Sequence, residues 1–389
     1  MRRTIVTLMA AAACALWVAA PAGAATTWAI QATPSPSGAT EPAFADVSCP
    51  SATSCFAVGS DSNAVSTVSQ TLTEHWNGST WAVQAAPSLS GSLSADLSGI
   101  ACPSATSCIA VGQNTNGSDL SLALAEHWNG STWTKQTVPA PSDAAAGTDL
   151  SRISCTSVTS CTAVGYKLIN AGTQEPLAEH WNGSTWTIQA APVPSGADES
   201  DLEAVSCGSA TSCTAVGVLS GPSYLVVLAE HWNGSTWTIQ DAPNPNGANP
   251  DPDSTSMLNA VSCSSAASCT AVGFSDASVG DVEHPLAEHW NGSTWTIQTA
   301  PDPAGTNQNP LNAVSCVSST ACTAVGFAGA AATGSTSTLA EQWNGSKWTI
   351  QSTADPAGVS SSLFGITCRS SAVCTAVGSS GDGALAEKS

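Results

Sequence analysis

Basic residues are scarce in this chain. Eight Lys and Arg stand against 28 Asp and Glu in 389 residues, a net charge of −20. Binding to nucleic acid rests on Lys and Arg displacing phosphate counterions, so that class of partner is excluded. An anionic membrane surface is excluded for the same reason. No apolar run of membrane-spanning length follows the first two dozen residues, so no transmembrane helix is expected. Apolar residues nowhere recur at helical spacing beyond that point, which leaves an all-β chain. Also missing is any single-copy pairing of acid, base and nucleophile, so an enzyme is not expected.

What is present begins with an address. Arg2 and Arg3, an apolar run from Ile5 to Ala20, and Ala22-Gly23-Ala24 follow the order of a secretory signal. Residues 1–24 are read as that signal, and 25–389 as the mature, extracellular protein. Cys14 lies inside the apolar run with Ala where a lipoprotein signal would carry Leu, so lipidation is not expected. Losing residues 1–24 leaves six basic residues against 28 acidic ones, a net charge of −22. That acidity keeps a secreted protein soluble.

The mature chain is a repeat. Glu-His-Trp-Asn-Gly-Ser-Thr-Trp occurs at Glu74–Trp81, Glu126–Trp133, Glu179–Trp186, Glu230–Trp237 and Glu288–Trp295, and with two changes at Glu341–Trp348. Asn-Gly between short runs of strand formers predicts a tight hairpin whose two turn residues both take positive φ. Fourteen of the fifteen cysteines form seven C-x5-C pairs: Cys49/Cys55, Cys102/Cys108, Cys155/Cys161, Cys207/Cys213, Cys263/Cys269, Cys316/Cys322 and Cys368/Cys374. Successive pairs start 53, 53, 52, 56, 53 and 52 residues apart, a period that suits a propeller blade.

Each unit reads as four strands, here A to D in chain order. Leu258–Cys263 is an A strand, Cys269–Gly273 a B, Leu286–Trp290 a C and Ser293–Gln298 a D. A five-residue Ser/Ala-rich turn is expected between A and B. The mature chain opens on Trp28–Gln31, a D strand without its A, B and C. It ends on Leu385–Ser389, a C strand without its D. Pairing the two would leave no open edge. The expected fold is a seven-bladed β-propeller of four antiparallel strands per blade, closed by its N-terminal strand.

Directly opposed residues on antiparallel strands lie within reach of a disulfide. With an export signal present, the pairs read as seven local bridges, one per unit. A structural zinc needs four ligands, and each pair stands alone. The repeated Glu and His (Glu74 through Glu387, and His75, His127, His180, His231, His289) recur where a catalytic residue is needed once. They read as structural, the Glu accepting hydrogen bonds from neighbouring backbone or hydroxyl groups. The six Asn-Gly-Ser hairpins also match the glycosylation acceptor, but the turn explains them and no glycan is assigned.

Gly78, Thr80 and Trp81 resemble the end of the Asp-box of sialidases and related propellers. Trp76 stands at the Asp position, so that motif's side-chain clamp is not expected. A sialidase site also needs an arginine triad, and only Arg152 and Arg369 remain after processing. Over its whole mature length the chain is similar to secreted actinobacterial repeat proteins carrying S-C-T-A-V-G and L-A-E-H-W-N-G-x-x-W. That resemblance implies the fold and export and supplies no activity.

Function is expected on loops. The A–B and C–D turns share one rim and are nearly identical in every unit. The B–C and D–A loops share the other rim and vary, as binding loops on a rigid scaffold do. The unit of Cys263 stands out there. Its D–A loop carries Asp251 and Asp253, and its B–C loop Asp276, Asp281, Glu283 and His284. Five of these are carboxylates, the chemistry that suits a hard cation such as calcium. No other cofactor is implied. The expected function is a non-catalytic binding or scaffold protein, a monomer whose partner is a protein or glycan. A multivalent lectin stacking sugars on the repeated Trp residues is the alternative, and a propeller hydrolase or lyase the second alternative.

Overall fold

The computed structural model describes residues 27–389, apart from 37, 63–67, 88, 90–91, 118–119, 170–171, 222, 248–250, 252, 278–281, 331 and 382. The signal segment and Cys14 lie outside the described residues. Among the described residues there is no helix; every element is a strand. No helix long and apolar enough to cross a membrane is present among them.

The strands fall into antiparallel sets of four, as the repeat predicts. In the set of Cys155 they are Gly147–Ser157, Ser160–Ile169, Thr173–Trp181 and Trp186–Gln189, paired A-B-C-D. A parallel bridge from Gly147 to Ser121 joins this set to the preceding one as an eight-stranded sheet. In the set of Cys316 the A strand is split into Thr306–Gln308 and Leu311–Ser318. Pro310, which has no N–H for the ladder, sits in the break. The N-terminal Ala29–Gln31 pairs with Gly383–Lys388, Gln31 opposite Ala386 and Ile30 opposite Glu387. Gln189 and Ile188 face Ala178 and Glu179 in the same way.

Apolar burial lies between the sets rather than within one. Ile109, Val111 and Ala125 of one set pack with Leu150, Leu177 and Trp186 of the next. Phe44, Val47 and Trp81 of the first complete set pack with Val377 and Ala386 of the last. The A strands contact one another in succession, and Ala43–Ser51 contacts Ser361–Ser370. The A-strand Leu is 0–1 % exposed in every copy (Leu97, Leu150, Leu202, Leu258, Leu311, Leu363). Each contributes about 1.5–3 kcal/mol.

Polar groups knit neighbouring sets together. The backbone N–H of Cys207 donates to Ser154 Oγ at 3.0 Å, and those of Cys263, Cys316 and Cys368 do the same to Ser206, Ser262 and Ser315 at 2.9 Å. Trp186 Nε1 donates to Gln136 Oε1 of the preceding D strand at 2.8 Å. Trp81 makes the same bond to Gln31 at 3.0 Å, which places the N-terminal strand where a preceding D strand would be.

The seven disulfides join the pairs read from the spacing, with Cα separations of 3.9–4.0 Å. Two details differ from expectation. Five pairs are directly opposed in the ladder, Cys155 to Cys161 for example. Cys49/Cys55 and Cys102/Cys108 fall instead where the register shifts. In those two units a proline (Pro50, Pro103) follows the first cysteine and has no N–H for the ladder. The turn is also tighter than five residues. Pairing continues past the cysteines, with Ser157 opposite Ser160, and leaves two residues at the tip.

The bridges also divide by burial, which removes half of their sulfurs from any accessible site. The strand-B cysteines Cys55, Cys108, Cys161, Cys213, Cys269, Cys322 and Cys374 are buried, 0–3 % exposed. They sit in the packing between sets because strand B lies in the middle of each sheet, with its side chains against a neighbouring set. Their strand-A partners are half-buried at the same packing. The cysteines are staples of the core and offer nothing to a ligand.

Three other expectations need correction. The C–D hairpin is not a two-residue turn. Trp76 faces Trp81 across four residues, and only Gly78 has positive φ, at 97°. Asn77 instead clamps the loop through Oδ1, which accepts the N–H groups of Ser79 and Thr80 at 3.0 Å. A side-chain clamp is therefore present, on Asn77. Second, the two Trp residues of the first hairpin differ: Trp81 is buried, whereas Trp76 is half-buried beneath the Lys388 ammonium, although Trp128 and Trp181 at the position of Trp76 are buried. Third, the repeated glutamates are buried but mostly unpartnered. All seven are 0 % exposed. Neither carboxyl oxygen of Glu74, Glu179, Glu230, Glu288 or Glu341 has a hydrogen-bond partner among the described residues. Glu126 accepts from Thr71 Oγ1 at 3.4 Å and Glu387 from Ala354 N at 3.3 Å. The position of Thr71, which supplies the donor to Glu126 of the next unit, holds Ala123, Pro176, Val227, Pro285 and Ala384 in the units preceding the other five, and none of these has a side-chain donor.

Candidate functional site

The repeat breaks down in one place along strand A. Pairing with strand B skips one residue just after the Leu, for example between Leu150 and Arg152 or Leu202 and Ala204. Such a bulge turns side chains away from the ladder. A glycine on strand B (Gly165, Gly217) lets the A backbone press in. A Cβ on Gly165 would collide with the Asp149 carbonyl. That close approach explains the Gly that follows Val within every B strand.

The residues at and beside the bulge line two adjoining cavities of ≈ 380 and ≈ 400 Å³, which share Arg152, Glu203 and Phe364. Contributions from all seven sets meet there, on the side of the variable B–C and D–A loops. The Arg152 guanidinium ties A strands together there. Its Nη1 donates to the carbonyls of Ser98 and Ser151, the latter at 3.0 Å, and its Nη2 to Phe364 O at 3.4 Å.

Around this cation stand acids that the other units do not all share. Asp96, Asp149 and Asp201 precede the strand-A Leu in three successive units. Burial pushes Asp149 up to about 7, helped by the charges of Asp96 and Glu203. Burial pushes Asp201 up to about 7 as well, with Glu203 adding to it. Glu203 is also raised by burial, against the pull of Arg152. Asp46 is raised by burial, opposed by Arg152 and by bonds from the N–H groups of Ile100 and Val47. Tyr166, beside these acids, is pushed up to about 12, mainly by burial. Such a cluster is charged differently on either side of neutrality, and it would hold a cationic group by displacing those protons.

Of the acidic loop residues singled out from sequence, Glu283 is raised by burial and by the charge of Asp276. Asp251 and Asp253 are exposed, Asp253 with φ 71°. Asp276 is tied to its own sheet, accepting the Thr255 N–H at 2.8 Å. Glu283 makes a parallel bridge with Gln308 and lines one of the two cavities. His284 is exposed and paired with Asp302, Nδ1 to Oδ2, at 2.9 Å. Asp281 lies outside the described residues. No group of three His, Cys, Asp or Glu is placed to hold a metal among the described residues.

Sequence reading missed the set around Arg152 because it weighed loops and not departures within strands. A signal was available: Asp precedes the strand-A Leu in three successive units only (Asp96, Asp149, Asp201), Arg152 stands where the other units hold Asp, Gly or Ala, and Glu203 where they hold Ala, Ser, Asn or Phe.

No protein-family model and no curated protein sequence matches the chain. Among solved structures it is similar to YCF48 bound to D1 peptide, at 12% identity and a TM-score of 0.53, covering 95% of this chain and 98% of that one. It also matches the GH74 xyloglucanase from Xanthomonas campestris at 9% identity and a TM-score of 0.38, covering 84% of this chain and 55% of that one. The first likeness shows a propeller-like fold. The second is too distant to carry an argument.

Proposed function

We propose that this is a secreted, non-catalytic binding protein, a closed ring of seven four-stranded blades that holds a polypeptide segment over its axial mouth. The observation that carries the reading is where repetition stops. The Asn-Gly rim is built alike in unit after unit, whereas Arg152 and Glu203 each stand at a strand-A position that no other unit fills with the same residue, and with Asp96 they line the cavities at the opposite mouth, Asp149 and Asp201 interacting with them. Closure is supported by the pairing of Ala29–Gln31 with the last C strand and by the Trp81–Gln31 bond. A polypeptide partner is supported by YCF48, a protein of like fold with a peptide bound. The acidity of the mouth favours a segment bearing Lys or Arg. Asp251 and Asp253 extend that surface outward on the fifth blade. Export is supported by the leader and by the seven disulfides.

The lectin alternative is weakened by the second Trp of each hairpin, which is 4–5 % exposed in all six copies and offers no face to a sugar. The test is selection of short linear peptides on the mature protein, followed by binding to variants. Asp149→Asn with Asp201→Asn, and separately Glu203→Gln, should weaken basic binders about tenfold or more. Asp251→Asn with Asp253→Asn should weaken them less. Binders unaffected by these changes but lost with Ser79→Tyr on the opposite rim would overturn the assignment.

A further inference from the structure

Strand D is short. It runs only three or four residues against a C strand of six to nine, so the first half of each C strand has no D partner. The backbone groups left facing outward are on alternate residues. In the first complete unit Gln84 N–H bonds Thr73 O, so Thr73, Thr71 and Ser69 turn outward.

Elsewhere the chain covers this edge. At the position of Thr71, Ala123 N–H donates to Thr148 Oγ1 at 2.9 Å, and Thr338 N–H to Asp355 Oδ1 at 2.7 Å. Two units place Pro there, Pro176 and Pro285, which have no N–H to satisfy. In the last unit Thr33 Oγ1 bonds the Ala384 carbonyl at 2.8 Å. In the fourth, Ser254 O takes the Leu225 N–H at 3.0 Å, and Val227 is 7 % exposed. The covering element is twice extended backbone. Gly147 bridges Ser121, and Gln308 bridges Glu283, each in parallel.

Thr71 differs. Its N–H and C=O have no outward partner among the described residues, and it lies half-buried in the floor of a groove of ≈ 460 Å³. Pro36, Asp61, Leu72, Val83, Leu89 and Ala95 also line it.

We propose that this groove accepts an extended segment of a partner polypeptide, which adds as a further strand along Ser69–Thr73. The sister units argue for that occupant, since extended backbone fills the same edge in two of them. Main-chain bonds to Thr71 supply affinity, and side-chain pockets supply choice. The segment carries short apolar side chains toward Leu72, Val83 and Leu89, and no carboxylate near Asp61. This inference deepens the polypeptide-binding reading and rests on it, but places part of the segment outside the axial mouth.

Peptides selected on the mature protein provide the probe, together with copies N-methylated at alternate residues. Thr71→Pro removes the edge N–H while matching what Pro176 and Pro285 already show to be compatible with the strand. Thr71→Ala keeps the N–H and removes only the hydroxyl. Expected are loss of binding of about tenfold or more with Thr71→Pro and with one methylation phase, and near-full binding with Thr71→Ala. In the free protein the Thr71 amide should exchange hydrogen faster than the Ala123 amide and slow on binding. Equal binding to Thr71→Pro, or a Thr71 amide as protected as Ala123 in the free protein, overturns the edge. Binders that ignore Thr71 but fail with Glu203→Gln leave the axial reading standing. Binders that ignore both sink both.

Discussion

Replacing Glu230 by Gln should make the protein less sensitive to alkali. The Glu230 side chain is fully buried, neither oxygen has a partner among the described residues, and burial raises its pKa from 4.5 to about 8. A carboxyl whose folded pKa is raised binds its proton more tightly in the folded state. Its contribution to stability is therefore complete below about pH 4.5 and is lost as pH rises through about 8. The ceiling is about 5 kcal/mol, from a shift of about 3.5 units at about 1.4 kcal/mol each. Seven such ceilings would exceed the about 5–15 kcal/mol that a domain possesses, so local relaxation must relieve most of it. A per-site effect on the order of 2 kcal/mol is the working figure. Gln has nearly the same shape and does not titrate. Urea unfolding followed by Trp fluorescence at about pH 5, 6.5 and 8 should show variant and wild type nearly equal in acid. The variant should then gain by that amount by about pH 8, while the wild type itself weakens. A difference that stays constant with pH would refute the reasoning, as would wild-type stability that rises over the same interval.

Other outcomes follow from the packing. Trp28→Ala should lower stability by about 3–5 kcal/mol in calorimetry, because that ring is only 6 % exposed in the seam of the two chain ends; an unchanged melting temperature would count against the seam. Asn77→Ala should cost about 1 kcal/mol through its lost clamp bonds, and equal stability would mean that the hairpin holds without them. Peptide mapping without reductant should find each cysteine joined within its own C-x5-C pair and no free thiol after leader removal; a bridge between pairs would contradict the fold.

How much of this was legible in the sequence divides along physical lines. Period, strand count per unit and disulfide pairing depend on local features, namely Asn-Gly, C-x5-C and alternating apolar residues, and these could be read directly. The Asn-Gly turn was misjudged because the dipeptide's preference for a two-residue turn yields to the Asn77 side chain, which closes a four-residue loop instead. The buried carboxyls were visible as a repeated Glu, but their lack of partners depends on which faces meet between sheets, and no short-range pattern encodes that. The axial mouth was hidden for a similar reason. Asp149, Arg152, Asp201 and Glu203 are far from Asp46 and Phe364 in sequence and meet only when the A strands gather. The acidic fifth-unit loops drew attention by composition, yet Asp276 is tied to the Thr255 N–H and His284 to Asp302.

The central claim is that binding occurs on the rim where repetition stops. Hydrogen exchange of the mature protein, with and without a saturating selected peptide, tests it most directly. The account predicts slowed exchange in segments 69–73, 96–98, 149–152 and 201–203, with the hairpin tips at 77–80, 129–132 and 182–185 unchanged. Protection confined to those tips and to the turns beyond the disulfides would contradict it.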